Sequence, residues 1–272
     1  MKHVPMTSLP ALITGASGGI GADLARVFAR NGHDVALAAR SRDKLEALAT
    51  EIEAAYPVKA SIFVVDLEQH GAVQRLHQEL AQANFSTGIL VNNAGFGLNG
   101  TFSALDIDQQ LALIDLNIRA LTQMSHPFLP GIIAAKGAIL NVASVASFFP
   151  GPGMAAYYAS KAYVLSLSEA LAFELRNDGV RVSALCPGPT KTGFTKRAGI
   201  PARGEAMYAM ASMPVAELGY KGLMAGQRVI VPGFANRILR LLSSFVPHRL
   251  TMRGVARIQM NRQKLRKHPD GG

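Results

Sequence analysis

The sequence predicts a doubly wound α/β fold, a parallel sheet of about seven strands with helices on both faces. Three observations carry this. Short runs that are apolar throughout recur along the chain, among them "PALITG", "DVALAAR", "GILVNNAG" and "GAILNVAS", as strands buried on both faces require. Helical patterns separate these runs, and strand–helix alternation with crossovers yields a parallel sheet. Finally, 272 residues with 49% apolar and only 17% charged side chains can bury a sizeable core.

The elements follow in order. "PALITG" reads as a strand and "IGADLARVFARNG" as a helix. "DVALAAR" is a strand, and "SRDKLEALATEIEAAY" is a helix with Ser41 as its cap. "ASIFVVDL" is a strand, "EQHGAVQRLHQELAQA" a helix and "GILVNNAG" a strand. A long helical region runs from about Asp106 to Leu129. "GAILNVAS" is the next strand, and the small residues, Leu and Glu of "AAYYASKAYVLSLSEALAFEL" make a helix starting at Ala155. "RVSALCPG" and "QRVIVPG" supply the last two strands.

Composition narrows the class of protein. The single cysteine, Cys186, cannot form an internal disulfide, which favours a reducing compartment and a cytoplasmic protein. No secretory h-region precedes the first glycines, and no run of 18 apolar residues exists, so no membrane span is expected. The net charge of +10 is unevenly placed. Residues 1–217 hold 17 basic and 17 acidic side chains, whereas residues 218–272 hold 11 Lys/Arg against Asp270 alone. A neutral body with a basic C-terminal segment argues against a nucleic-acid-binding core. No metal site is expected.

Functional residues on such a sheet belong just after the strands. After the first comes "TGASGGIG", whose Gly15, Gly19 and Gly21 let the backbone turn and approach a pyrophosphate at a helix N-terminus. This spacing resembles the short-chain dehydrogenase/reductase superfamily, and further matches follow in order. They are "NNAG" (Asn92 to Gly95), Asn117 in "DLNIRAL", Ser144 in "NVASVAS", Tyr157 and Lys161 in "YYASK", and Pro187, Gly188 and Thr192 in "CPGPTKT", together spanning about residues 9 to 195. The resemblance implies a Rossmann-type fold, a nicotinamide cofactor and a homo-oligomer, dimer or tetramer. Carried over residue by residue, it places the cofactor against Gly15, Ser17, Gly18, Gly19, Ile20, Gly21, Asp66, Leu67, Asn93, Ala94, Gly95, Tyr157, Lys161, Pro187, Gly188, Thr190 and Thr192.

The second strand indicates which cofactor. Selection for a free ribose 2′-hydroxyl usually puts a carboxylate at its tip. Here the strand ends "ALAARSRDK", so Arg40, with Arg42 as a nearby second cation, is suited to a 2′-phosphate. NADP(H) is therefore expected over NAD(H).

Lys161 lies one helical turn from both Tyr157 and Tyr158, and helix geometry alone does not choose between them. The family-like spacing, 27 residues from Asn117 to Ser144 and 13 more to Tyr157, selects Tyr157. The resemblance implies a catalytic set of Asn117, Ser144, Tyr157 and Lys161. Lowering a phenol by about 3 units to serve as a proton donor needs roughly 4 kcal/mol of preference for phenolate. The Lys161 ammonium and an oxidised nicotinamide are the expected source. Ser144 would bind the substrate oxygen.

The expected organisation is a single Rossmann-type domain over residues 1–233, including a substrate loop at about 189–225, and a basic amphipathic extension over 234–272. The four methionines of "KRAGIPARGEAMYAMASMPVAELG" suggest a lid over an apolar substrate, with plain helix packing as the alternative. The extension is expected to dock on the body or a partner subunit, with peripheral contact to an anionic membrane as the second reading. The leading function is NADP(H)-dependent interconversion of a small apolar carbonyl and its alcohol. A membrane-associated lipid or steroid 3-oxo reductase is one alternative, and a non-catalytic NADP-binding regulator another.

Overall fold

A computed structural model describes residues 6–200, 209–243 and 252–257. Its strands are β1 (Ala11–Thr14), β2 (Val35–Ala39), β3 (Ala60–Val64), β4 (Ile89–Asn92), β5 (Ala138–Val142), β6 (Arg181–Leu185), β7 (Thr190–Lys191), β8 (Met210–Ala211) and β9 (Val229–Ile230). Seven form one sheet in the order β3-β2-β1-β4-β5-β6-β9, every neighbour parallel, while β7 and β8 make a separate short pair. This is the Rossmann-like α/β sheet that the apolar runs predict. Every residue of β1, β2, β4 and β5 is buried.

The helices are α1 (Gly19–Arg30), α2 (Arg42–Ala55), α3 (Ala72–Gln82), α4 (Ile107–Ile114), α5 (Leu121–Ala135), α6 (Ala155–Glu174), α7 (Phe194–Arg197), α8 (Ser212–Met224) and α9 (Phe234–Ser243). Alternate strand residues feed the two faces. Ala11, Ile13 and Leu37 pack with Leu24 and Phe28 of α1, Leu45 and Ile52 of α2, and Val215 of α8. On the other face Leu12, Leu90 and Ile139 meet Leu76 of α3 and Met124, Phe128 and Ile132 of α5. Truncating a fully buried leucine such as Leu24 to Ala would cost about 2–5 kcal/mol.

The predicted long helix differs in two ways. It continues to Ala135, through Pro127 and Pro130, and a π-helical stretch, Asp115–Ala120, interrupts it between α4 and α5. The prolines withdraw the i−4 hydrogen bonds from the carbonyls of Gln123 and His126, both exposed residues on the solvent side of the helix. The π stretch widens the turn that carries Asn117.

The C-terminal elements bear on the expected lid and on one half of the expected docking, that onto the body. From Ser212 the methionine-rich segment is helix α8, packed on α1 with Val215, Ala216, Gly219, Gly222 and Leu223 buried. Residues 201–208, in the middle of the predicted lid, lie outside the described residues, as does most of the chain beyond Ser243. Helix α9 does not bury its apolar face on the body. Asn236, which abuts Gly188, is its half-buried residue, and Phe234, Ile238, Leu241 and Leu242 are exposed. Among the described residues, no helix is long and apolar enough to cross a membrane.

Candidate active site

The strand order reverses between β1 and β4, and a cleft of about 640 Å³ opens there, at the carboxyl ends of the strands. Its floor is the glycine turn. Gly15 adopts φ +66°, and a Cβ on it would stand 2.8 Å from Asn93 Nδ2 and 2.9 Å from Ala94 Cα. A Cβ on Gly21 would overlap Asn93 Nδ2 and the Gly15 carbonyl, and one on Gly19, at φ +55°, would sit 3.0 Å from Thr192 Cγ2. Gly18 has open space where its side chain would be, and no side chain caps α1. The first-turn N–H groups of α1 are thus left for an anion.

Thr14 holds this floor to the neighbouring strand. Its hydroxyl accepts from the backbone N–H of Asn93 at 3.0 Å and of Ala94 at 3.1 Å, and donates to the Val91 carbonyl at 3.2 Å. Asn93 Nδ2 reciprocates by donating to the Thr14 carbonyl at 2.9 Å and that of Gly15 at 3.2 Å. Sequence reasoning passed over Thr14, since a threonine ending a strand carries no mark of a partner 77 residues away.

At the tip of β2 the cleft is lined by Ser17, Arg40, Ser41, Lys44, Asp66, Leu67 and Glu68. Arg40 lies 3.4 Å from Glu68, which also receives Arg197 at 2.7 Å, and the Arg197 guanidinium stacks on Phe96 at 4.2 Å. Two expectations change here. Ser41 occupies the N-cap position of α2 but makes no capping hydrogen bond, and its residue faces the cleft. Arg42 points away, 3.5 Å from Glu46 on its own helix, so the cation that α2 gives to the cleft is Lys44. The sequence signal for Lys44 was its position one turn after Ser41. Asp66 turns its carboxylate to the Glu68 N–H at 3.1 Å, which fixes the corner after β3.

The other end of the cleft holds Ser144, Tyr157 and Lys161, with Pro187, Gly188, Thr190 and Thr192 along one wall. Ser144 lies two residues beyond β5 and caps the following 3₁₀ turn, accepting from the Ala146 N–H at 3.1 Å. Its hydroxyl donates to the Pro187 carbonyl at 3.5 Å and stands close enough to the Tyr157 phenol to act on it. Lys161 Nζ donates to the Val142 carbonyl at 2.8 Å. Asn117 stands behind this wall, 1% exposed. Its Oδ1 accepts from Phe96 N at 3.1 Å, while Nδ2 donates to Phe96 O at 2.9 Å and Ser160 Oγ at 3.0 Å. Asn117 thereby ties the π-helical stretch to the loop after β4 and to α6. Gly21 likewise lies beneath the cleft floor.

Burial dominates the electrostatics of this end. Burial pushes the Tyr157 phenol up to about 12, with the Ser144 hydroxyl pulling it partly back and Tyr158 adding to the rise. Burial pushes Lys161 down to about 8, against the opposing influence of Cys186. Among the protein's own groups, the loss of water outweighs every favourable contact on the phenol; the expected lowering also calls on an oxidised nicotinamide. Tyr158 has its ring against Gly151 and edge-on to Tyr157 at 6.1 Å, and it lines the cleft. Met154, Phe194 and Ile200 make this end apolar.

Residues 10–201 match the short chain dehydrogenase family. The chain belongs to that family. As a short-chain dehydrogenase it is 37% identical over 203 residues to sulfoacetaldehyde reductase 2 of Chromohalobacter salexigens, covering 72% of this chain and 79% of the relative. Among solved structures, a short-chain dehydrogenase from Sphingobium yanoikuyae in complex with NADPH superposes with a TM-score of 0.79 at 35% identity, over 87% of this chain and 93% of that one. A short chain dehydrogenase/reductase from Burkholderia phymatum in complex with NAD gives 0.77 at 25% identity, over 88% and 94%. Nicotinamide cofactors thus occupy structural relatives of this short-chain dehydrogenase in both forms, with and without the 2′-phosphate.

Proposed function

We propose that this chain is an NADP(H)-dependent oxidoreductase that interconverts an apolar ketone or aldehyde and its alcohol, with Tyr157 as the acid/base. The observation that carries it is the meeting of Ser144, Tyr157 and Lys161 in the cleft whose other end is the glycine turn. Ser17, the α1 N-terminus and the glycines would hold the pyrophosphate. Arg40, Ser41 and Lys44 would hold the 2′-phosphate, a set of one guanidinium, one ammonium and one uncommitted hydroxyl. Lys161 would hold the nicotinamide ribose. Thr190 and Thr192 would line the ring, and the reduced ring, when bound, supplies the hydride.

The chain's own residues do the rest. Ser144 fixes the substrate oxygen, and the water-poor end of the cleft strengthens that hydrogen bond. Tyr157 stays protonated at neutral pH and delivers its proton from Oη only to a strong base, such as the alkoxide forming on that oxygen. Lys161, charged below about 8, stabilises the resulting phenolate. Met154, Tyr158 and Phe194 favour an apolar substrate body.

A homo-oligomer is part of this reading. Ile107, Leu111 and Ile114 form an exposed stripe on α4, at 56%, 50% and 38% exposure, suited to a second copy. The deciding experiment is a carbonyl panel assayed by oxidation of NADPH and, separately, NADH. Turnover of apolar ketones or aldehydes with NADPH preferred is expected, and no turnover of any carbonyl with either cofactor would sink the reading.

A further inference from the structure

Helix α9 is amphipathic, and it is mounted with its polar side inward. Asn236 faces the body, where a Cβ on Gly188 would collide with its amide, and its Nδ2 donates to the Pro232 carbonyl at 2.7 Å. Arg237 Nε donates to the Val231 carbonyl at 3.1 Å, and the Arg240 guanidinium lies 5.9 Å from the centre of the Phe148 ring. At about 100° per residue, the opposite arc holds Leu241, Phe234, Ile238, Leu242 and Leu239. Those side chains are 63%, 77%, 43%, 47% and 41% exposed, a continuous apolar strip open to solvent.

From this mounting we infer that α9 seats the protein on an anionic lipid surface, with its apolar arc in the headgroup layer. Charge selects that occupant. From Phe234 to the end the chain carries nine Lys/Arg against Asp270 alone, while residues 1–217 are neutral. A second copy laid on this face would bring the same cations together with a single acid per chain to offset them. The chain's own residues 258–272 carry that same sign. An anionic bilayer complements the cations and accepts a broad apolar strip without demanding a shaped groove. The proposed contact is peripheral, with α9 lying in the headgroup layer.

The seat adjoins the cleft. Asn236 backs Gly188, which lines the cofactor wall, and Arg240 reaches Phe148 in the 3₁₀ turn that follows Ser144. A membrane-bound α9 therefore holds the cleft close to the lipid surface. The inference does not depend on which reaction the cleft carries out.

The test is co-sedimentation of the full chain with phosphatidylcholine vesicles, pure or containing about a quarter phosphatidylglycerol. Expected is partition onto the anionic vesicles only, weakening as salt is raised. The double substitution Ile238→Ser/Leu241→Ser should lower that partition about tenfold or more. Both positions point away from the body, so the variant should keep its fold, checked by its circular dichroism and melting temperature. No binding to anionic vesicles, equal binding to neutral ones, or unchanged binding of the double variant would each overturn the inference. So would a parent that ignores vesicles but sediments as a larger oligomer than the variant, which would make a second copy the occupant.

Discussion

Lys161 Nζ donates to the carbonyl oxygen of Val142 at 2.8 Å, so the ammonium is anchored to the end of β5 rather than to the tyrosine beside it. Burial leaves it titrating at about 8, against 10.5 for a free lysine. Because kcat/KM for NADPH reports the unliganded protein, it should fall as pH rises through about 8. Stability moves the other way. The folded pKa is the lower one, so between about 8 and 10.5 the unfolded chain binds more protons, and this group's contribution to stability rises with pH. A pH–rate profile flat through this window would contradict the assignment.

Tyr157 and Tyr158 are adjacent and both line the cleft, and the neighbouring Ser144 hydroxyl pulls on the phenol of Tyr157. Tyr157→Phe should lower kcat about 10²- to 10⁴-fold, the usual value of a positioned general acid. Tyr158→Phe should alter KM more than kcat. Steady-state kinetics of both variants, with melting temperatures as a control for folding, would separate them. Undiminished turnover by Tyr157→Phe would refute its role.

Cofactor choice should rest on the β2 tip. A charge-assisted hydrogen bond is worth about 1.5–3 kcal/mol, so Arg40→Ala should weaken NADPH binding roughly tenfold to a hundredfold and leave NADH nearly unchanged. Lys44→Ala should act in the same direction. Arg42→Ala should do nothing to either, because Arg42 is turned toward Glu46. Fluorescence titration of the three variants with both nucleotides is the measurement; loss of NADPH affinity in Arg42→Ala alone would reverse the assignment.

His33 should make the fold acid-sensitive. It is fully buried, with Nδ1 2.8 Å from the Leu9 carbonyl and Nε2 3.1 Å from the Tyr220 hydroxyl. A neutral ring satisfies both by donating from Nδ1 and accepting at Nε2. Burial lowers its pKa below 6.5. Its contribution is therefore complete above about 6.5 and lost as pH falls toward the folded value. Melting temperature should drop between about pH 7.5 and 5.5, and His33→Gln should start lower with a shallower slope. Parallel slopes for the two proteins would rule this out.

Much of this was legible in the residues because the relevant signals are local. Apolar runs mark strands buried on both faces, and glycines mark places where backbone must approach backbone. What escaped depends on distant partners. Thr14 matters only because β4 ends beside it, and Lys44 replaced Arg42 because the start of α2 turns one side chain into the cleft and the other along its own helix. The rise of the Tyr157 phenol among the protein's own groups escaped because burial is a property of the assembled fold, not of the "YYASK" spacing. For α9 the periodicity identifies an apolar face, but only the surface beneath it decides whether that face is covered.

The clasp between Thr14 and Asn93 also sets a schedule for the growing chain. The turn after β1 emerges early from synthesis, yet its partner strand and the loop that supports Gly15 and Gly21 lie 77 to 80 residues later. With every strand of the main sheet parallel, no hairpin provides a shortcut, and contacts of such separation form slowly. The nucleotide floor is therefore closed only once β4 has docked. Until then β1 has an open edge, and the time before that docking is when this chain is most exposed to mispairing and to chaperone capture.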